Sequence, residues 1–145
     1  MRKNKDCVCI ITQNTRGLKS DDKLQELCAT VINRKFFAVC IQETWRTGVS
    51  TFELENCVIF NSGLDPNQVK SRRGEQGVAI LLSKNAVTSW RSTGSIVHSD
   101  LGARIIAVRL IVKDSNSNNV GLFLISAYAP IGNADQNSGI VILKN

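Results

Sequence analysis

The stretch from Phe36 to Trp45, FFAVCIQETW, decides the fold that this sequence predicts. Six apolar residues, Phe36 to Ile41, run directly into the polar cluster Gln42-Glu43-Thr44. A continuous apolar run of this kind is typical of a strand covered on both faces, so its polar end is expected at the rim of a core. A carboxylate there is well placed to hold a hard cation. On this stretch alone, the commoner interpretation of Glu43 is an ordinary solvated acid at the end of a strand.

A helix is predicted between Ser20 and Lys35. Ser20 offers an N-cap, and Asp21 and Asp22 fall in the first turn, where the helix dipole favours acids. Arg34 and Lys35 close the helix at its negative end. The apolar residues follow the i, i+3, i+4, i+7, i+8 stripe of an amphipathic helix, and they are Leu24, Leu27, Cys28, Val31 and Ile32.

A first buried strand is predicted from Cys7 to Ile11, and it runs into the polar residues Thr12 to Arg16 before Gly17. The order is therefore strand, helix, strand. If the two strands lie parallel, their polar ends meet at the same edge of the sheet. Asn14 and Glu43 are then expected close together.

The rest of the chain predicts mainly strands. The polar segment Lys113 to Asn119 indicates an antiparallel hairpin between the last two long strands. The apolar stub Ile140 to Leu143 fits equally an edge strand or the scar of a truncation. Strands at short intervals with few helices favour a layered, sandwich-like α+β architecture. The predicted strands are Cys57–Phe60, Gly77–Leu82, Val87–Arg91, Ile96–His98, Ala103–Val112 and Val120–Ala127.

Length, net charge and hydropathy limit the classes of protein to which this sequence can belong. A chain of 145 residues is long enough for one domain with a real core. Eighteen Lys+Arg against twelve Asp+Glu leave a net charge of +6, which favours a polyanionic partner such as nucleic acid or an anionic membrane surface. No stretch approaches the length of a transmembrane helix. We expect a nuclear or cytoplasmic protein that does not enter a membrane.

The cysteine and histidine content argues against a zinc site. The five cysteines, an odd number without a Cys-x-x-Cys pair, are interpreted as small buried hydrophobes in a reducing compartment. The single histidine, His98, leaves no zinc site of ordinary spacing. A Ser/His/Asp triad would also depend on His98, for which a surface or partly packed position is the simpler interpretation. Trp45 and Trp90 are interpreted as packing residues rather than base-stacking platforms.

The remaining candidate for a functional site is a polar rim bordered by arginines on loops. Glu43 with Asn14 and several waters suits Mg²⁺, which takes one or two carboxylates and keeps water ligands. Arginines on neighbouring loops suit phosphate oxygens. The combination indicates metal-assisted phosphodiester chemistry. The loop arginines are Arg16, Arg46, Arg72 and Arg73.

Five motifs taken together resemble a known family. In order and spacing they are similar to the N-terminal part of the endonuclease/exonuclease/phosphatase (DNase I-like) family, nearest to the apurinic-type endonuclease domain of non-LTR retrotransposons. The resemblance covers residues 7–135 of 1–145. The motifs are Thr12-Gln-Asn-Thr-Arg-Gly-Leu18, Cys40-Ile-Gln-Glu-Thr-Trp45, Gly77-Val-Ala-Ile-Leu81, Arg104-Ile-Ile106 and Ile125-Ser-Ala-Tyr-Ala-Pro130.

The resemblance implies a four-layered α/β sandwich with an active site at one end of two packed sheets. It also implies Mg²⁺-dependent hydrolysis of DNA by an activated water, with contacts to the phosphate backbone and no cofactor beyond the metal. Carried over by motif, Glu43 is the metal ligand, Asn14 contacts the metal and phosphate region, and Tyr128 hydrogen-bonds near the scissile phosphate. Gln42 would support these residues. Arg104 would bond within the site wall or serve a structural role between strands.

The sequence also departs from the family. A Gly-Asp-Phe-Asn-like element, a later Asp and a final Ser-Asp-His element are missing, and Asp135 and His98 stand at the wrong places to replace them. Sandwiches of this class commonly run about 200 to 250 residues. We therefore expect a truncated domain with much of its second sheet missing, and a chain that is inactive or nearly so. The alternatives are a non-catalytic nucleic-acid-binding remnant and a phosphatase- or sphingomyelinase-like member of the family.

Overall fold

The computed structural model describes residues 8–129 and 140–144. These residues form two β-sheets and two α-helices, which confirms the α+β class. Within the described ranges, neither helix is long and apolar enough to cross a membrane. In chain order the elements are β1 (Ile10–Asn14), α1 (Asp21–Arg34), β2 (Ala38–Gln42), β3 (Val49–Glu53), β4 (Cys57–Ser62), a short 3₁₀-helix (Pro66–Gln68), β5 (Val78–Ser83), α2 (Lys84–Ser92), β6 (Val97–His98), β7 (Ile105–Lys113), β8 (Asn119–Ala127) and β9 (Ile140–Lys144).

The first sheet has five strands in the order β1-β2-β5-β4-β3. β1 and β2 are parallel, which is the condition under which the sequence placed their polar ends at one edge, and Asn14 lies opposite Gln42 in their register. β5 runs antiparallel to β2, so that Val78 lies opposite Gln42. The carboxyl ends of β1 and β2 and the amino end of β5 therefore meet at one edge of the sheet.

The second sheet has four antiparallel strands in the order β6-β7-β8-β9. The predicted hairpin is confirmed: β7 and β8 pair along their whole length, with Lys113 opposite Asn119. Of the two interpretations of the apolar stub from Ile140, the edge strand agrees with the structure, because β9 lies at the edge of this sheet beside β8.

Both faces of the first sheet are covered. Ala38 and Cys40 of β2 pack toward the second sheet, whereas Val39 and Ile41 pack toward α1. All four side chains are fully buried, which explains the uninterrupted apolar run in this part of the sequence. α1, the first sheet and the second sheet thus form three layers, and α2 packs against the core between the sheets through Ala86 and Val87.

The helix limits of α1 follow from its caps. The Ser20 hydroxyl accepts a hydrogen bond from the Lys23 backbone N–H at 3.2 Å, as an N-cap does. Lys35 adopts a left-handed conformation with φ of +54° and donates its backbone N–H to Ile32, which ends the helix. The prediction that Ile32 belongs to the buried stripe is wrong, because its side chain is 46% exposed.

The strand predicted at Val87 to Arg91 is wrong, because these residues lie in α2. The Ser83 hydroxyl accepts from the Ala86 backbone N–H and caps the helix, a signal that the strand interpretation overlooked. Ala86, Val87 and Trp90 lie at helical spacing and face the core.

Strand β3 was not predicted, and β1 is displaced from its predicted limits. β3 alternates exposed and half-buried residues at the edge of its sheet, so it lacks the apolar run on which the other strands were recognised. β1 begins at Ile10 rather than Cys7, which lies outside the described residues, and it includes the polar residues Thr12 to Asn14. An edge strand tolerates polar residues because one side of it faces solvent.

Three of the four described cysteines are buried, as predicted. Cys28, Cys40 and Cys57 lie in the core, and burial raises the pKa of the Cys40 thiol to about 12. Cys9 is exposed, so the prediction of burial is wrong at this position. It lies just before the edge strand β1, where the core does not extend.

A buried polar network joins the two sheets. Gln42 accepts a hydrogen bond from the Thr12 hydroxyl at 3.0 Å and donates its amide N–H to the Ser126 hydroxyl at 3.2 Å. Ser126 in turn donates to the backbone carbonyl of Ile41 at 2.8 Å. Gln42 and Ser126 are fully buried, and every polar group in this network has a partner. The network fixes β2 against β8.

We expect Ser126→Ala to lower the free energy of unfolding by about 1 to 3 kcal/mol, because it leaves the Gln42 amide buried without its acceptor. Urea denaturation of the two proteins measures the difference. Ser115→Ala, at an exposed serine, is the matched control and should stay within about 0.5 kcal/mol of the unmodified chain. Equal stability of the two variants would show that the network does not hold the sheets together.

Candidate functional site

The chain makes two unusual turns where it leaves β2. Glu43 has φ of +53° and Trp45 has φ of +58°, a left-handed conformation that is uncommon for residues other than glycine. Hydrogen bonds hold the segment on both sides. Gly17 and Leu18 donate to the carbonyls of Glu43 and Thr44, both at 2.8 Å, on one side. Thr44 and Trp45 donate to Gly77 and Gln76 on the other, at 3.1 and 2.9 Å, so the backbone of the segment is fixed.

Two glycines make room for the Trp45 side chain. A Cβ atom at Gly17 would lie 2.7 Å from Cε3 of the indole, and one at Gly74 would lie 2.6 Å from Cβ of Trp45. Contacts this short do not occur in folded proteins, and both glycines also have positive φ. The segments carrying Gly17 and Gly74 therefore pack directly against Trp45.

A cleft of about 350 Å³ opens beside this segment. Its walls combine two carboxylates, a phenol hydroxyl and an indole. Two predicted site residues, Glu43 and Tyr128, lie in it together. The lining residues are Glu43, Trp45, Ser71, Gly74, Glu75, Gln76 and Tyr128.

Tyr128 is positioned by the second sheet and lies in the same cleft as Glu43 of the first. Its backbone N–H donates to the Arg104 carbonyl at 2.8 Å, just beyond the end of β8. Burial and the nearby negative charge of Glu43 raise the pKa of Tyr128, and the positive charge of Arg104 offsets part of the rise. Tyr128 is therefore protonated and able to donate a hydrogen bond at neutral pH.

Arg104 lies next to the cleft. Its Nε donates to the Gln76 side-chain oxygen at 3.2 Å, and its charge acts on Tyr128. Gln76 thus ties the guanidinium of Arg104 to the segment that precedes β5. Arg104 is exposed, so its remaining N–H groups are available to an anionic ligand.

Asn14 lies at the same edge of the sheet, opposite Gln42, but it does not line the cleft. Its side-chain oxygen accepts the backbone N–H of Arg16 at 3.1 Å. Arg16 itself is exposed at the turn after β1 and has φ of +47°. The structure therefore brings Asn14 to the edge of the sheet without joining it to Glu43 and Tyr128.

The side chain of Arg46 is held by contacts within the protein. Its guanidinium donates to the carbonyls of Leu18 and Lys19, at 2.8 and 3.2 Å, and pairs with Asp21 at 3.0 Å. It also lies over the Phe52 ring, 4.4 Å from the centroid. These contacts hold the turn after β1, and they leave Arg46 less free to bind a ligand than the other arginines.

Arg72 and Arg73 are exposed on the loop before β5. Their neighbours Ser71 and Gly74 line the cleft, so the two arginines stand at its rim. His98 lies in β6, opposite Ala107, and is not among the residues that line the cleft. Of the cationic residues predicted for the site, Arg72 and Arg73 are thus adjacent in sequence to cleft residues, and Arg104 is hydrogen-bonded to one.

The described residues of the cleft include carboxylates, but they do not form a cluster of metal ligands. No group of three or more His, Cys, Asp and Glu side chains within them is arranged to hold a metal ion. The cleft does hold the carboxylates of Glu43 and Glu75, and an all-oxygen set with one or two carboxylates is what Mg²⁺ accepts. Glu75 accepts the Lys70 backbone N–H at 3.3 Å through one of its oxygens, which leaves the other for a ligand.

Ser71, Glu75 and Gln76 were not predicted as site residues. The signal that could have found Glu75 and Gln76 is the antiparallel pairing of β2 and β5, because it places the residues before β5 beside those after β2. Ser71 gives no comparable signal, since it reaches the cleft through the path of a long loop.

Comparison of the chain with protein-family models, with curated proteins and with solved structures gives no match. The function is therefore inferred from the cleft itself. Its distinguishing feature is a carboxylate and a phenol hydroxyl in one cleft, with arginines at the rim.

We expect Gly17→Ala to destabilise the chain by about 1 to 3 kcal/mol more than Gly102→Ala, because the added methyl group must displace the Trp45 ring. Gly102 also has positive φ, but a Cβ there meets no atom within 4 Å, so this control measures backbone strain alone. Urea denaturation followed by circular dichroism gives both values. Equal losses would mean that Gly17 does not pack tightly against Trp45.

The single tyrosine of the chain gives a direct test of the Glu43 contact. Absorbance at 295 nm should show Tyr128 ionising above the ordinary pKa near 10, and Glu43→Gln should lower the midpoint because a charge that opposes the phenolate is removed. Stability linked to Tyr128 should be full below the unfolded-state pKa and should fall as pH rises through the folded-state pKa. Glu53→Gln, at an exposed edge strand, should leave the midpoint unchanged. If Glu43→Gln leaves the midpoint of the Tyr128 titration unchanged, the two side chains do not interact.

Proposed function

We propose that the cleft binds a phosphodiester and that the chain provides the metal-binding half of a Mg²⁺-dependent DNA endonuclease site of the endonuclease/exonuclease/phosphatase family. The observation that carries the proposal is that Glu43 and Tyr128 line one cleft, with Glu43 directly after β2 where the parallel strands β1 and β2 end. A carboxylate suits the metal, and a protonated phenol suits a phosphate oxygen. The motif resemblance assigns these roles to the same two residues.

The proposal includes a four-layered, DNase I-like sandwich. α1 and the two sheets supply three layers, and the fourth would cover the outer face of the second sheet. That face is apolar at several positions that are exposed or half-buried in the described part of the chain. Strands that are apolar on both faces are typical of covered sheets, which supports a further layer here. The apolar residues of this face are Ile105, Ile111, Phe123 and Ile125.

The motif resemblance would assign Mg²⁺ to Glu43 and Asn14. Because Asn14 does not line the cleft, Glu75 is the further oxygen ligand that the cleft offers beside Glu43. A bound Mg²⁺ would neutralise negative charge on the phosphate and polarise its bonds. The protein groups supply the remaining contacts. Tyr128 would donate a hydrogen bond from its hydroxyl group to a phosphate oxygen, and Arg104 would add a positive charge that Gln76 holds in place.

The arginines at the rim would bind the DNA backbone on either side of the cleft. Arg72 and Arg73 are exposed and adjacent in sequence to cleft residues, so they can reach flanking phosphates. The net charge of +6 favours the encounter with DNA but carries no sequence specificity.

Hydrolysis also needs a base to deprotonate water. Among the described residues, the carboxylates of the cleft are Glu43 and Glu75, and His98 lies elsewhere in the second sheet. A carboxylate committed to a metal is a poor base, and losing groups that act as a unit removes most of a catalysed rate. We therefore propose that this chain binds DNA and cleaves it slowly or not at all.

A nicking assay on supercoiled plasmid, with Mg²⁺ or with EDTA, tests the proposal together with DNA binding in EDTA measured by fluorescence anisotropy. We expect binding whose affinity falls steeply with salt, and little nicking. Arg72→Ala with Arg73→Ala should flatten the plot of log K against log salt by up to about 2, since each duplex phosphate contact contributes about 0.9.

The matched control removes Lys84 and Arg91, two exposed cations of α2 that do not line the cleft. It should change the salt slope less than the rim variant. Mg²⁺-dependent nicking that Glu43→Ala abolishes would show a complete catalytic site and contradict the expected low activity. A folded chain that does not bind DNA even at low salt would contradict the proposed function.

A further inference from the structure

The two tryptophans of this chain have different environments. Trp90 packs against Phe60, with ring centroids 4.8 Å apart, and its indole N–H donates to the Ile96 carbonyl at 3.0 Å. A tryptophan with a ring partner and a satisfied N–H is a packing residue, as the sequence predicted for both. Trp45 does not fit that description.

Trp45 lines the cleft beside Glu43 and Tyr128 and is partly exposed. Within residues 8–129, its ring has no aromatic partner and its indole N–H has no hydrogen bond. No buried side-chain nitrogen or oxygen in the described part lacks a partner, so the indole N–H of Trp45 reaches solvent. Both a ring surface and a donor are therefore open to a ligand.

The backbone around Trp45 is strained to hold this side chain. A left-handed φ of +58° is unfavourable for a bulky residue, and Gly17 and Gly74 must both approach the side chain too closely for any other residue type. A tryptophan that only filled space could be placed without these costs. Strain that persists in a folded chain is concentrated at binding and catalytic sites.

We propose that Trp45 is a stacking platform for an unpaired nucleobase of the nucleic acid whose phosphate lies at Glu43 and Tyr128. The inference rests on the proposed function, because it takes the cleft to be the phosphate site. A volume of about 350 Å³ falls in the range of small-ligand pockets. Stacking on an aromatic ring tolerates any base, since every base has a π-face.

The geometry favours an unpaired base over a base within a duplex. Inside a duplex, both faces of a base are already stacked on its neighbours, and extruding it costs free energy. The indole can therefore bind a base of a single strand, of a frayed end or of a nucleotide turned out of the helix. The substrate class that follows is single-stranded or locally unpaired DNA.

The test compares two probes that differ only in their bases: a twelve-residue thymidine oligonucleotide and an abasic tetrahydrofuran oligomer with the same phosphates. Trp90→Phe makes Trp45 the only tryptophan and thus the source of the fluorescence. We expect the thymidine oligomer to quench that fluorescence and the abasic oligomer to leave it nearly unchanged. Trp45→Leu should weaken binding of the thymidine oligomer about tenfold or more, with little effect on the abasic one. Trp45→Phe, which keeps a ring, should lose less.

The possible outcomes separate this inference from the proposed function. Equal affinity for both probes, unchanged by Trp45→Leu, would overturn base stacking and leave phosphate binding intact. Failure of the unmodified chain to bind either probe would overturn both proposals. Circular dichroism and the Tyr128 titration check the folding of each variant. If Trp45→Leu or Trp90→Phe unfolds, the affinities of Trp45→Phe for the two probes test the proposal instead. A preference for the thymidine oligomer that is smaller than in the unmodified chain supports stacking. An unchanged preference overturns it.

Discussion

Buried Gln42 and Ser126 join the two sheets, and the geometry of the candidate site depends on the bonds between them. Ser126 donates to the carbonyl of Ile41, which lies two residues before Glu43, and Ser126 itself lies two residues before Tyr128. These bonds therefore fix β2 against β8 two residues before Glu43 and Tyr128, where the chain leaving each strand enters the cleft. A polar pair so deeply buried is stable only when every donor and acceptor is satisfied, so the sheets have little freedom to slide.

This constraint explains how residues far apart in sequence meet at one place. Glu43 leaves the first sheet in a left-handed conformation, and Tyr128 leaves the second sheet with its backbone N–H bonded to Arg104. Their side chains meet in the cleft, where burial and the Glu43 charge keep the tyrosine protonated. The cleft thus places a carboxylate, a phenol hydroxyl and a partly exposed indole within one small volume.

The sequence predicted the elements whose signals are local. α1 has its cap, first-turn acids and apolar stripe within fifteen residues, and β7 and β8 are long apolar strands around a polar turn. The sequence did not predict β3, and it assigned part of α2 to a strand. Each error has a physical reason. An edge strand carries a weak apolar pattern because solvent covers one side, and the short helix depends on the cap at Ser83.

By itself, the sequence determined that Glu43 follows a buried strand and that Tyr128 follows the last strand of a hairpin, and it placed Asn14 beyond a first strand whose pairing it left open. Those positions follow from hydrophobic patterning, which is local. Only the tertiary structure decided that Glu75 and Gln76 share the cleft, that Arg46 is held by backbone carbonyls, and that Trp45 lines the cleft. These facts depend on the antiparallel pairing of β2 with β5 and on how closely Gly17 and Gly74 approach the indole, and neither is encoded in the spacing of residues along one segment.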